Sequence, residues 1–186
     1  MTHISITGDL GSGKSSVAKI LCQDLGFEYF STGSLQRKLA AEKGMNTLDM
    51  NKFSESTKDV DDYIDNFLRQ IEADKNAACT YILDSRLAWH FVPSSFKVFI
   101  KVAPEVAAQR VLADKARSNE PDSTDVASTM ASLQARMQSE CKRFKEYYDI
   151  DYRNESNFDL VVDSSVMTAQ DVAASIIKAY QSHLNK

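Results

Sequence analysis

The chain has 186 residues, 43% hydrophobic and 26% charged, with six Gly and three Pro, an ordinary composition for one globular domain. That excludes a disordered chain, a collagen-like repeat and a mini-scaffold dependent on disulfides. The net charge of −4 gives no global basic field, and the longest apolar runs, such as 96–100 and 158–162, fall far short of the ~18 residues of a membrane span, so neither nucleic acid nor membrane is an expected partner.

The start, Met1-Thr2-His3-Ile4-Ser5, carries no basic leader, which predicts a cytoplasmic protein. In chain order, short apolar runs at 3–7, 27–31, 80–84, 97–102 and 159–163 predict strands buried on both faces. Amphipathic stretches at 14–25, 33–43, 60–74, 104–116, 123–148 and 169–184 predict the helices between them. The alternation is an α/β signature: one five-stranded sheet with helices on both faces. Pro104 followed by Glu105, and Thr168 followed by Asp171 in the first turn, mark two of the helix starts.

The 55–74 segment sets Glu55, Asp59, Asp61, Asp62, Asp65, Glu72 and Asp74 against Lys58 and Arg69, and reads as an exposed insertion. Beyond a loop at 118–122, Arg136, Lys142, Arg143 and Lys145 concentrate positive charge near one end of a long helix, as in a basic flap. Cys22, Cys79 and Cys141 share no C-x-x-C spacing and read as buried thiols. His3, His90 and His183 have no metal-ligand spacing.

The strongest chemical signal is Gly8-Asp9-Leu10-Gly11-Ser12-Gly13-Lys14-Ser15, a complete G-x-x-x-x-G-K-S between a predicted strand and a predicted helix. Phosphate oxygens need convergent donors; a Gly-rich turn lets backbone N–H groups approach them, and the helix N-terminus adds a positive dipole end. Gly8, Gly11, Ser12, Gly13, Lys14, Ser15 and Ser16 are therefore candidate ATP-binding residues, with the Lys14 ammonium on the β- and γ-phosphates and the Ser15 hydroxyl on Mg²⁺. Tyr81-Ile82-Leu83-Asp84 ends an apolar run in a carboxylate, which makes Asp84 the second candidate Mg²⁺ ligand; a turn cap is the plain alternative.

Arg86 stands at the C-terminal edge of the sheet, where ligands of open α/β sheets bind and where its fork can clamp a phosphate, or else it forms a surface salt bridge. Ser31-Thr32-Gly33 with Arg37 one turn later offers hydroxyls, a helix start and a cation for a second phosphate. Arg110, Arg136 and Arg143, ahead of Arg117, are candidate catalytic arginines on a lid that neutralises the transferring phosphoryl group and excludes water; a solvated helix face is the alternative for each. Trp89, His90 and Phe91 line either a base pocket or the core.

These motifs, together with Asp24-Leu25-Gly26, Asp84-Ser85-Arg86-Leu87-Ala88, Ser139-Glu140, Lys142-Arg143, Tyr148-Asp149-Ile150-Asp151 and the terminal run 159–165, make residues 1–165 resemble the short-chain cytidylate kinases of the P-loop nucleoside monophosphate kinase family. The resemblance implies a P-loop NTPase fold with parallel strand order 2-3-1-4-5, an insertion for the monophosphate at about 33–76 and a lid at about 110–146. It also implies ATP- and Mg²⁺-dependent phosphoryl transfer to a small nucleotide acceptor, CMP or dCMP. By position, Lys14 and Ser15 hold ATP and Mg²⁺; Ser31, Gly33, Arg37, Asp84 and Arg86 grip the acceptor; Arg110, Arg136 and Arg143 serve transfer. A monomer or weak homodimer is expected.

Three departures stand out. Asp9 replaces the usual proline, which predicts an extra negative charge near the triphosphate. Ser85 stands where the family carries a glycine, and the 45–74 segment offers no recognisable base-reading residue. The rival readings are a kinase of another nucleotide, a nucleoside or a metabolite, and a non-transferring regulatory ATPase.

Overall fold

The computed structural model describes residues 2–45, 49–50, 53–54, 59–74, 79–114 and 125–185. Five strands, β1 (Ile4–Gly8), β2 (Glu28–Ser31), β3 (Tyr81–Asp84), β4 (Phe96–Lys101) and β5 (Leu160–Asp163), form one sheet in the order β2-β3-β1-β4-β5. Every neighbouring pair is parallel, so the order 2-3-1-4-5 holds as expected. Because all strands run one way, their C-terminal ends fall on a single edge: Ser31 pairs with Asp84, and Gly8 with Ile100. The central strand β1 is buried along its whole length, which is why it reads as apolar without alternation.

Helices cover both faces. On one, α1 (Lys14–Leu25) and the C-terminal helix pack Val17, Leu21, Val172 and Ile176 against Ile4, Ile6, Val98 and Ile100. On the other, Leu68 of the helix Asp59–Ala73, Phe144 of the long helix Val126–Tyr148 and Tyr152 just beyond it gather around Leu83 and Phe91. After α1, the α-helices whose bounds fall in the described residues are, in chain order, α2 (Thr32–Glu42), α3 (Asp59–Ala73), α4 (Ala88–Phe91), α5 (Pro104–Ala113), α6 (Val126–Tyr148) and α7 (Ala169–Leu184). The start signals hold: Pro104 opens α5, and Thr168 caps α7 in a reciprocal pair with Asp171.

The acidic segment departs from the expectation of an exposed insertion. In α3, Val60, Ile64, Leu68 and Ile71 recur at helical spacing and are buried, and Asp61 and Asp65 beside that stripe are 7% and 6% exposed. Counting acids along the chain ignored which face they occupy. The four-residue α4 is too short to show a period and was absent from the expected elements. The three cysteines are free and half-buried rather than buried. Arg117, the loop at 118–122, Glu55 and Lys58 lie outside the described residues. Among the described residues, no helix is long and apolar enough to cross a membrane.

Candidate active site

The turn between β1 and α1 is built around two close backbone approaches. Gly8, at φ 151°, lies so near β4 that a Cβ would stand 2.1 Å from the Ile100 carbonyl oxygen. Gly11, at φ 76°, packs against α5, where a Cβ would stand 2.8 Å from the Ala107 carbonyl oxygen. The Lys14 ammonium donates to the carbonyls of Gly8 (3.1 Å) and Asp9 (2.7 Å) across this turn. Burial, and then the positive charge of Arg86, lower the Lys14 pKa to about 7, outweighing the carboxylates of Asp84, Glu140 and Asp9.

The Asp9 side chain turns away from the cavity, although its negative charge still acts on the Lys14 ammonium. Its Oδ2 accepts from the Val102 amide at 3.1 Å, its Oδ1 pairs with Arg153 Nη2 at 3.0 Å, and it lines neither of the two cavities described below. A carboxylate here caps the end of β4, a role proline could not fill. Ser85 also dissolves as an anomaly: among the described non-glycine residues only Asp149 has a positive φ, so no glycine-like backbone is required at Ser85. Its amide bonds Ile6 and its carbonyl accepts from Thr7 Oγ1 at 2.8 Å, holding the segment beyond β3 in place.

Asp84, at the tip of β3, faces the start of α1. The hydroxyls of Ser15 and Tyr29 both donate to its Oδ2, at 2.8 and 2.9 Å. One carboxylate and one hydroxyl, with room for phosphate and water, is a donor set that fits Mg²⁺, which keeps much of its water shell. Tyr29 escaped the sequence reading, because a tyrosine in an edge strand carries no signal of its own.

Arg86 donates Nε–H to Glu140 Oε2 at 2.8 Å and Nη1–H to the Gly8 carbonyl at 2.7 Å. The other Glu140 oxygen accepts from Arg136 Nε at 3.1 Å, and Tyr152 Oη donates to Oε2 at 3.3 Å. Burial opposes the charge on Glu140, but Arg86 and then Arg136 outweigh it and hold the carboxyl at about 2. Arg86 is correspondingly pushed up, the Glu140 charge overcoming burial. Glu140 had entered the sequence reading only as part of a motif. Its role was invisible there because it depends on two partners, one of them 54 residues away.

A cavity of about 430 Å³ joins these groups. Gly11, Gly13, Lys14, Ser15 and Asp84 line one part of it, and Ser31, Gly33, Arg37, Arg86, Arg136 and Arg143 line another. Ser31 also caps α2 by accepting from the Ser34 amide, and Arg37 donates to Ser34 Oγ at 3.0 Å. Arg136 and Arg143 are thus cavity residues, Arg143 only 5% exposed, while Lys142 and Lys145 of the expected flap form i,i+4 pairs on the outer face of α6.

Arg110 is not with them. It donates to Ser164 Oγ (3.1 Å) and the Ser164 carbonyl (2.7 Å), beside a second cavity of about 350 Å³ lined also by Ser12, Ser16, Met167 and Thr168. Its position one turn from the end of α5 directs it to the segment after β5. Trp89, His90 and Phe91 pack: Trp89 stacks at an angle on Phe158 and donates to the Arg86 carbonyl, and none of the three lines either cavity.

The model of the cytidylate kinase-like family matches residues 3–166. The chain is 35% identical to a cytidylate kinase of Methanocella arvoryzae, over 95% of each chain. It is 37% identical, over 97% of its length, to an S-adenosylmethionine-dependent nucleotide dehydratase of Lacinutrix mariniflava, but spans only 36% of that protein. A shikimate kinase structure from Bacteroides thetaiotaomicron covers 100% of the chain at a TM-score of 0.64 and 13% identity, a likeness of fold alone.

Proposed function

The chain belongs to the cytidylate kinase-like family, and from that premise we propose that it transfers the γ-phosphoryl group of ATP to a nucleoside monophosphate, CMP or dCMP foremost. The observation that carries this reading is the single cavity in which the P-loop cation Lys14 and the Ser15–Asp84 pair face a separate set of arginines. One polyphosphate needs only the first group; a second phosphate accounts for Arg37, Arg86, Arg136 and Arg143.

In the reaction an oxygen of the acceptor phosphate attacks Pγ, the bond from Pγ to the bridging oxygen breaks, and ADP leaves. Lys14 neutralises charge on the β- and γ-phosphates, and the arginines hold the acceptor in line and spread over the equatorial oxygens. Mg²⁺, when bound at Ser15 and Asp84, neutralises the phosphate oxygens further. The acceptor phosphate is already ionised, so no side chain has to be a strong base. The second cavity, behind the P-loop, takes the adenine of ATP, with the guanidinium of Arg110 held by Ser164 as a flat face for the base.

The test is ADP production from Mg·ATP with CMP, dCMP, UMP, AMP, GMP and their nucleosides, with the Lys14→Ala protein as contamination control. Fast turnover with CMP or dCMP supports the reading; turnover with a nucleoside alone moves the acceptor class, and ATP hydrolysis indifferent to every acceptor removes transfer. The likeness to a dehydratase named for a nucleotide substrate keeps nucleotides at the head of that panel.

A further inference from the structure

Tyr29 of the edge strand β2 inverts the usual placement of a surface tyrosine. A phenol at a protein surface ordinarily buries its ring and leaves its hydroxyl to water. Tyr29 keeps 37% of its surface exposed and packs into neither hydrophobic cluster, yet its hydroxyl turns inward and donates to Asp84 Oδ2 at 2.9 Å. Packing does not account for this side chain; the bond it makes does.

The sheet sets up that bond. Parallel pairing places Tyr29 opposite Ile82 and Ser31 opposite Asp84, so Tyr29 is the diagonal neighbour of Asp84 on the same face. That diagonal is too long for a serine and within reach of a phenol. The same segment also holds the acid by its backbone, since Thr32 Oγ1 donates to the Asp84 carbonyl at 3.4 Å.

Asp84 is buried and lines the cavity beside Lys14 and Ser15. Ser15 Oγ and Tyr29 Oη converge on one of its oxygens, and among the described residues no hydrogen bond reaches the other, Oδ1. Two donors on Oδ2 fix the plane of a carboxylate whose terminal torsion is otherwise broad. Ser15 alone is a weak anchor, because its hydroxyl is itself the other candidate ligand of the cation. Tyr29 reaches Asp84 from outside the P-loop and is placed by the sheet rather than by a ligand.

We propose that Tyr29 is a positioning residue for the metal that accompanies the nucleotide: its hydroxyl holds Asp84 by Oδ2 and so leaves Oδ1 for Mg²⁺. The inference deepens the kinase reading above and rests on its assignment of Ser15 and Asp84 to the cation. Groups that orient a metal's ligand without touching the metal govern its affinity by about 10–100-fold. The phenol acts on the cation and not on the phosphates, so its loss is felt only where Mg²⁺ is present.

The experiment is titration calorimetry of the β,γ-imido analogue of ATP into the full chain, once with Mg²⁺ and once with EDTA. The proteins are the unmodified chain, Tyr29→Phe, Asp84→Asn and the double variant. The ratio of the two dissociation constants is the coupling between metal and nucleotide on the protein. Tyr29→Phe, which removes a single oxygen from a partly exposed side chain, lowers that ratio by about tenfold and leaves the affinity in EDTA unchanged. Asp84→Asn lowers it as well, and adding Tyr29→Phe to that variant changes nothing further, because the phenol works through the carboxylate. In phosphoryl transfer, Tyr29→Phe raises the Mg²⁺ concentration needed for half-maximal rate and leaves the KM for CMP unchanged.

A ratio unchanged in Tyr29→Phe overturns the proposal. An equal loss with and without Mg²⁺, the mark of a damaged pocket, also overturns it, as do effects of Tyr29→Phe and Asp84→Asn that simply add. An unmodified protein whose affinity for the analogue ignores Mg²⁺ overturns it too. Binding is read without turnover, so a protein that shows the expected metal coupling yet phosphorylates no monophosphate overturns the transfer reading and supports this inference.

Discussion

Glu140, within α6, accepts the Nε–H of Arg86 at 2.8 Å and so ties the long helix to the segment that follows β3. Its second oxygen holds Arg136, so one buried carboxylate fixes two cations of the cavity. The arrangement presents both guanidiniums before any phosphate arrives, which lowers the ordering cost of binding one. Arg86 keeps a further bond to the Gly8 carbonyl and therefore touches the P-loop as well as α6. The P-loop side and the α6 side of the cavity are joined mechanically through this residue.

Glu140→Gln leaves these two half-buried guanidiniums without their buried counter-charge and is expected to cost about 2–4 kcal/mol at pH 7 by urea denaturation. The loss has a definite pH dependence. The Glu140 pKa is held at about 2, below the 4.5 of a free glutamate, so its contribution is fully present above pH 4.5 and disappears as the pH falls towards 2. The stability gap between the two proteins should therefore narrow at pH 3; a gap that stays constant from pH 7 to pH 3 contradicts the ion-pair account.

Lys14→Ala is expected to lower kcat by at least about two orders of magnitude, the scale on which a preorganised charge acts in phosphoryl and acyl transfer. Thermal unfolding should hardly move. The ammonium is buried with its pKa lowered to about 7, so the fold gains little from holding it charged. Turnover by the alanine protein at the original rate removes the P-loop assignment.

The strands, the strand order implied by the family resemblance and the phosphate loop were legible in the sequence because each is a local pattern: a short apolar run, or a motif at fixed spacing between strand and helix. What was not legible depends on facing direction. The charge of Asp9 was expected at the triphosphate, yet the side chain turns to the end of β4 and to Arg153. Arg110 was grouped with Arg136 and Arg143 by charge and order along the chain, but its place on α5 sends it to Ser164. The acids of α3 looked like solvent-facing charge; only the helix turn shows Asp61 and Asp65 at the cavity.

That difference between Arg110 and Arg86 is measurable. Arg86→Ala should raise the KM of the acceptor far more than that of ATP, whereas Arg110→Ala should raise the KM of ATP with little effect on the acceptor. Equal effects of Arg86→Ala on both substrates take that residue out of the acceptor site, and an acceptor-specific defect in Arg110→Ala returns it to the lid.

Gly8→Ala tests the packing of β1 on β4. The added methyl would meet the Ile100 carbonyl oxygen at 2.1 Å in a backbone conformation that side chains rarely adopt, and every atom it meets is Ile100 backbone rather than the movable end of a side chain. A destabilisation of about 2–4 kcal/mol is expected, together with loss of the carbonyl position that Lys14 and Arg86 share. A variant of unchanged stability and activity contradicts the close approach.

Asp65 offers a pH test of opposite sign to Glu140. Burial raises its pKa to about 6; the Tyr148 hydroxyl opposes that rise, Asp61 and Asp62 add to it, and Arg69 opposes it. A carboxyl whose folded pKa lies above its unfolded value of 3.8 contributes stability below pH 4, and that contribution is lost as the pH rises through 6. Asparagine does not titrate, and every other group is common to both proteins. The stability of the unmodified protein minus that of Asp65→Asn should therefore fall between pH 4 and pH 6.5, by about 1–2 kcal/mol once screening at the open cavity is allowed for. Paired urea denaturation across that range reads the difference directly. A flat or rising difference means that Asp65 is as well solvated as a surface carboxylate, and then α3 does not hold a buried acid at the cavity.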